Sequence, residues 1–122
     1  MKLIGIDTSS HLGSVSVVED RRLLGECLLN LGPMHSENIT SSIDWLLKTL
    51  DIKRDELQGV AVSIGPGSFT SLRVGVVTAK SLAYALGLKI IGVSSLEALA
   101  SNVPCTDKKI CTLIDAKRKE VY

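Results

Sequence analysis

The stretch Val60–Leu86, VAVSIGPGSFTSLRVGVVTAKSLAYAL, constrains the rest of the chain more than any other. It contains a short aliphatic run, Val60–Ile64, then the loop Gly65-Pro66-Gly67-Ser68, then a helical pattern of roughly four turns. The aliphatic run reads as a buried strand. Two glycines flanking a proline read as a sharp turn that can take positive φ. Ser68 or Thr70 is expected to cap the helix, since a hydroxyl accepts a bond from a free amide of the first turn. A glycine loop entering a helix can also hold an anion, because free N–H groups and the helix dipole converge there. It is not a P-loop, as no Gly-Lys-Ser/Thr closes it. The plain turn and the anion site both remain open at this point.

The helix itself says more. Ser71, Gly75 and Ala79 recur every fourth residue and Ala83 extends the row, giving a flat stripe of small side chains along one face. Leu72, Val76, Leu82 and Leu86 add bulk beside it, and only Arg73, Thr78, Lys80 and Ser81 break the apolar circumference. A helix apolar on most sides must be covered on most sides, and a sheet covers one. Another helix of the chain or another subunit is expected to cover the rest, with the small stripe allowing close backbone approach. Leucine at Gly75 is then expected to break that contact and leave the fold largely intact.

Composition narrows the classes. A length of 122 residues fits one domain with a sizeable core. Apolar residues make up 45% and aromatics only 3%, so the core must be aliphatic. The net charge is +1, and the basic runs Lys108-Lys109 and Lys117-Arg118-Lys119 carry no aromatic platform, which is weak ground for direct nucleic-acid binding. Cys27, Cys105 and Cys111 are odd in number and lack CxxC spacing. They read as reduced thiols of a cytoplasmic protein, with neither a disulfide frame nor a zinc site. No signal peptide precedes the first strand, and no apolar run reaches ~18 residues, so no membrane contact is expected.

In order, Lys2–Ile6 is an aliphatic strand leading to Asp7-Thr8-Ser9-Ser10. Gly13 is expected to turn the chain, Ser14–Val17 alternates as a second strand, Asp20-Arg21-Arg22 turns again, and Leu23–Leu29 is a third. Asn30–Pro33 is a loop, and Ser36 is expected to cap a helix with Ile39, Ile43, Leu46, Leu47 and Leu50 on its apolar face. Lys53–Gln58 reads as a polar connector into the central strand and helix, which Gly87 ends. Strand Ile90–Val93, helix Ser95–Ala100, loop Asn102–Lys109 and a sixth strand Ile110–Ile114 follow, then a turn into Val121-Tyr122. The order β-β-β-α-β-α-β-α predicts an α/β fold with a mixed sheet and helices on its faces, the lobe pattern of ribonuclease H-like or actin-like ATPase proteins. The expected division is a lobe over 1–108 and the start of a truncated second lobe over 109–122.

Several motifs carry a resemblance: Gly5-Ile6-Asp7-Thr8-Ser9, His35-Ser36-Glu37, Gly65-Pro66-Gly67-Ser68-Phe69-Thr70 with Leu72-Arg73, Ile114-Asp115-Ala116 and Glu120-Val121-Tyr122. Through them the whole chain resembles the bacterial TsaB (YeaZ) family, the dimerisation subunit of the tRNA threonylcarbamoyladenosine machinery. Ser71 stands where that family usually has glycine. The resemblance implies a partner subunit that binds the catalytic paralogue TsaD and works with a TsaE-like ATPase in modifying adenosine 37 of tRNA, touching tRNA only through the complex. It implies contact through the first two helices, about Ser36–Leu50 and Thr70–Leu86. Interface residues would be His35, Ile39, Ile43, Ser71, Leu72, Gly75, Thr78, Ala79 and Leu82. When alone, the chain is expected to pair with itself through the same helices.

Catalytic chemistry is not expected of this chain. The catalytic paralogues carry a His-x-x-x-His metal motif after the fifth strand, and the matching places hold Ser95 and Leu99, which are poor or impossible ligands. Glu97 beside them reads as a surface helix residue. His11 and His35 are not paired by any motif, and no histidine is placed beside a serine as a triad needs. The alternative is a nucleotide-binding, ATP-hydrolysing or glycoprotease-like enzyme. Asp7, Thr8, Ser9, Gly65, Gly67 and Ser68 are the candidate nucleotide or anion site. Asp7 either helps place Mg²⁺ and phosphate or bonds backbone amides of its own turn. No cofactor is expected on the chain alone, with ATP or ADP and Mg²⁺ belonging to the complex.

Overall fold

The computed structural model describes residues 1–30, 35–103, 106–117 and 119–122, without the side chains of 35–38 and 117. Five strands form one mixed sheet in the order β3-β2-β1-β4-β5. They are β1 Lys2–Asp7, β2 Leu12–Glu19, β3 Arg22–Asn30, β4 Leu57–Gly65 and β5 Lys89–Ser94. β1, β2 and β3 form an antiparallel meander, while β4 runs parallel to β1 and β5 parallel to β4. Helices α1 His35–Thr49, α2 Phe69–Leu86 and α3 Ser95–Ser101 complete the lobe. This is the mixed α/β architecture of the ribonuclease H-like and actin-like ATPase lobes, in the element order that the sequence predicts.

Period-two alternation makes the two faces of the sheet unlike each other. Ile4, Ile6, Val15, Val17, Val60 and Val62 point to one side and are buried. α1 covers them with Ile39, Ile43, Leu46 and Leu47, and α2 with Ala79 and Ala83. Each of these large side chains contributes about 1.5–3 kcal/mol when fully buried. The opposite face is small and polar, carrying Gly5, Ser14, Ser16, Ala61 and Ser63. α3 is tied to that side by a buried hydroxyl pair, Ser63 Oγ to Ser95 Oγ at 2.7 Å.

Helix ends follow local chemistry. α2 stops at Gly87, which takes φ 64 and donates its N–H to the Ala83 carbonyl. α1 ends through Asp51 at φ 52, with Ile52 N–H reaching the Leu47 carbonyl at 2.9 Å. Ser68 occupies the N-cap of α2 but makes no side-chain capping bond; its hydroxyl pairs with that of Ser71 at 3.1 Å. α1 begins at His35, so Ser36 lies inside its first turn and is not its cap.

Three local expectations are corrected. Gly13 does not turn the chain: it lies within β2 opposite Leu29, and the bend falls at residues 9–11. The connector expected over Lys53–Gln58 is shorter, a 3₁₀ turn Arg54–Glu56, because buried Leu57 already belongs to β4. Ile110–Ile114 is not a strand. No strand of the five-stranded sheet takes it as a neighbour, and Ile110 and Leu113 are exposed. The pairing begins at the end of that run, where Ile114 exchanges two backbone bonds with Tyr122, and continues in the hairpin of β6 Asp115–Lys117 with β7 Glu120–Val121. The expected loop over Asn30–Pro33 and Cys105 lie largely or wholly outside the described residues, while Cys27 and Cys111 are free thiols. Among the described residues no helix is long and apolar enough to cross a membrane.

Candidate functional site: the outer face of two helices

The stripe Ser71, Gly75, Ala79 and Ala83 is buried, and it faces the chain's own sheet. A Cβ built on Gly75 would overlap Thr8 Oγ1 at the end of β1. Thr8 is 1% exposed and donates its hydroxyl to the Ser71 carbonyl at 2.7 Å. α2 therefore lies so close to β1 that only a hydrogen fits at 75. The small stripe is a sheet-packing device, and Ser71, Gly75 and Ala79 have no surface left for another subunit. The expectation that leucine at Gly75 would spare the fold is corrected by the same contact. Ile39 is likewise fully buried in the core.

What α2 leaves open is its other side. Phe69, Val77 and Tyr84 are 68%, 61% and 93% exposed. They form a ridge with Arg73 and Lys80, also exposed. Between this ridge and α1 runs an open groove of about 360 Å³. Its floor and walls are Ile43, Leu47, Val77, Leu82, Ala85 and Leu86, with Thr78 and Ser81 on the α2 side. Aromatic and apolar side chains beside a guanidinium, with few carboxylates, are the composition of a protein-docking face. Of the residues expected at an interface, Ile43, Thr78 and Leu82 line this groove, and Leu72 is half-buried on α2. The side chain of His35 lies outside the described residues. Phe69, Val77, Ser81, Tyr84 and Ala85 were missed, although a helix whose small stripe meets a sheet must present the residues half a turn away to solvent.

One charge cluster marks the α1 side. Asp44 accepts from Lys48 at 2.6 Å and from Arg54 at 2.9 Å. The hydrogen bond from Lys48, then that from Arg54, holds the Asp44 carboxyl below the usual carboxylate range. Across the sheet, the Glu56 hydrogen bond raises Lys2 above its ordinary value.

The residues of the candidate anion site do come together. Ser68 N–H donates to the Ser9 carbonyl at 2.7 Å, and a Cβ on Gly67 would overlap that carbonyl. Gly65 takes φ 101, a conformation that favours glycine, and its bond to Pro66 is cis. Asp7 accepts from Ser9 N–H at 2.8 Å, the bond of an Asx turn. Thr8 points into α2, so of the six it is spent on packing. Asp7 and Ser9 line a polar cleft with Ser10, Ser14 and Glu26, under α3. Ser95 is 3% exposed and its hydroxyl is bonded to that of Ser63. Among the described residues no three His, Cys, Asp or Glu side chains are grouped to hold a metal.

Comparison with known proteins agrees with this architecture. The family model described as "TsaD: tRNA N6-adenosine threonylcarbamoyltransferase" matches residues 32–122. The tRNA threonylcarbamoyladenosine biosynthesis protein TsaB of Bacillus subtilis is 35% identical over 122 residues, covering 100% of this chain and 53% of that protein. The chain thus spans about half the length of the curated relatives it matches. YeaZ from Pseudomonas aeruginosa superposes with a TM-score of 0.77 at 26% identity, over 83% of this chain and 47% of that one. RuvC from Thermus thermophilus, at 18% identity and a TM-score of 0.55 over 80% of this chain and 66% of its own, shares the fold alone. The chain belongs to the family of the TsaD model and, within it, to the TsaB (YeaZ) members.

Proposed function

We propose that this chain is a non-catalytic partner subunit in the biosynthesis of tRNA N6-threonylcarbamoyladenosine, binding a TsaD-type transferase through α1 and α2. The observation that carries it is the apolar groove between Ile43 and Leu82, walled by exposed Val77 and Ala85, with exposed Tyr84 on the ridge beside it. An aqueous surface of that kind is stabilised by burial against another apolar face. The names of the family model and of the Bacillus subtilis relative supply the partner and the pathway. A non-catalytic role is supported by the side chains at the paralogues' metal places: Ser95 is used in packing, and Leu99 has no donor atom. In the same proposal ATP or ADP with Mg²⁺, a TsaE-like ATPase and tRNA belong to the assembled complex. A second copy of the chain is the competing occupant of the same groove.

The test is co-purification of the chain with the TsaD-type transferase encoded in the same genome. Val77→Arg puts a charge on the groove wall without touching the core. It is expected to weaken binding by about tenfold to a hundredfold, the cost of spoiling a central interface residue, while the melting temperature holds. Transferase that fails to bind the wild-type chain, or binds Val77→Arg equally well, defeats the proposal.

A further inference from the structure

We propose that the outer face of α2 selects a partner helix carrying carboxylates about seven residues apart along the flank of an apolar stripe; this rests on the docking role argued above. Arg73 and Lys80 both stand on the exposed ridge. Their spacing is two helical turns, or about 10 Å. α2, FTSLRVGVVTAKSLAYAL, contains no Asp or Glu to balance them. Neither cation is bridged to a carboxylate among the described residues. Arg73 lies over the Phe69 ring, its Cζ 4.0 Å from the centroid. Stacking of that kind holds a guanidinium in place while leaving its N–H donors for a carboxylate. The groove beside the ridge is electrically closed by contrast, since its two charged residues, Asp44 and Arg54, pair with each other at 2.9 Å.

The ridge therefore offers two unmatched positive charges on either side of apolar Val77, with Tyr84 one turn beyond Lys80. A partner helix with Asp or Glu at positions i and i+7 presents both on one edge, as the charged flanking positions of paired helices do. A second copy of this chain fits the same ridge poorly. In a two-fold contact centred on this ridge the same patch meets itself, so the cation at 73 of one copy would approach the cation at 80 of the other. Like charges facing one another select against that pairing and in favour of an acidic partner.

The experiment measures affinity of the chain for the TsaD-type transferase at about 50 mM and about 500 mM NaCl, where screening lengths differ several-fold. Wild type is compared with Arg73→Glu/Lys80→Glu and Arg73→Gln/Lys80→Gln, with thermal melting to verify the fold. The expected result is that salt weakens wild-type binding about tenfold, and that the double reversal weakens it about tenfold or more at low salt and loses or inverts the salt dependence, the neutral pair falling between. Wild-type binding that is indifferent to salt and to both double variants overturns the charge proposal and leaves the docking role standing. Absence of any wild-type binding overturns both. Sedimentation showing wild-type self-association at low salt as tight as transferase binding overturns the selection against a second copy.

Discussion

Along α2, residues 71, 75, 79 and 83 are small and sealed, whereas 69, 77 and 84 are large and bare. The two rows lie on the same helix and differ by about half a turn. The inner row fits against Thr8 and β1 so closely that a Cβ at Gly75 has no room. The outer row meets no element of the described chain closely enough to be buried. Small residues at helical spacing report a short distance to a neighbour; they do not report whose neighbour it is. Here the neighbour is the chain's own sheet. The bulky side chains of the outer row are left in water instead, the more costly arrangement for an isolated chain, and it is there that the proposed docking face lies.

The largest test of this contrast is Gly75→Leu. A side chain at 75 must displace Thr8 in the core, so the variant is expected to lose about 3 kcal/mol or more and to unfold at physiological temperature. Chemical denaturation measures it, and a normally stable variant would move the helix away from β1. A finer test of the inner row is Thr8→Ala, which deletes the hydroxyl bonded to the Ser71 carbonyl and is expected to cost about 1 kcal/mol. Combined with Gly75→Ala, it should cost less than the sum of the two single changes, because the truncated residue 8 makes room for the new Cβ. Strict additivity in that cycle would mean the two residues do not touch.

For the outer row, Tyr84→Ser removes a side chain that is 93% exposed. Stability is expected to stay within about 0.5 kcal/mol. Transferase affinity, read by calorimetry, should still fall several-fold. A large drop in melting temperature would place Tyr84 in the inner set. The smallest effect belongs to the groove's rim. The Asp44 carboxyl lies below the usual carboxylate range because Lys48 and then Arg54 bond it. The folded form's pKa is thus lower than the unfolded form's. The contribution is complete above the ordinary carboxylate range and is lost as pH falls through the lowered value. Melting temperatures taken from neutral pH down to about pH 2 should fall slightly less steeply for Asp44→Asn than for wild type. Identical slopes would remove the pair from the stability of the groove wall.

Much of the fold was legible before any coordinates. The aliphatic runs Lys2–Ile6 and Val60–Ile64 and the alternation of Ser14–Val17 were readable as strands, and Ile39, Ile43, Leu46 and Leu47 as the apolar face of the covering helix. Gly87 gave the end of α2, because left-handed backbone favours glycine. Legibility failed where pairing partners decide. Ile110–Ile114 has a strand's composition, yet it takes no place in the five-stranded sheet and only Ile114 finds a backbone partner, Tyr122. Gly13 has a turn's composition and sits in a ladder opposite Leu29. The site was half legible. Ile43, Thr78 and Leu82 were expected and line the groove, while Phe69, Val77 and Tyr84 were passed over because the side of α2 that meets the sheet is set by its distant fit to Thr8.

By itself, the sequence determined the five strands of the sheet and its three helices, their order, and that α2 is apolar around most of its circumference. Those are consequences of periodicity, which is a property of the chain alone. Tertiary structure decided which side of α2 the sheet takes. Thr8 and Gly75 are 67 positions apart in the sequence, so their mutual fit cannot be read from local spacing. That fit turns the small stripe inward and sends Arg73, Val77, Lys80 and Tyr84 outward into solvent.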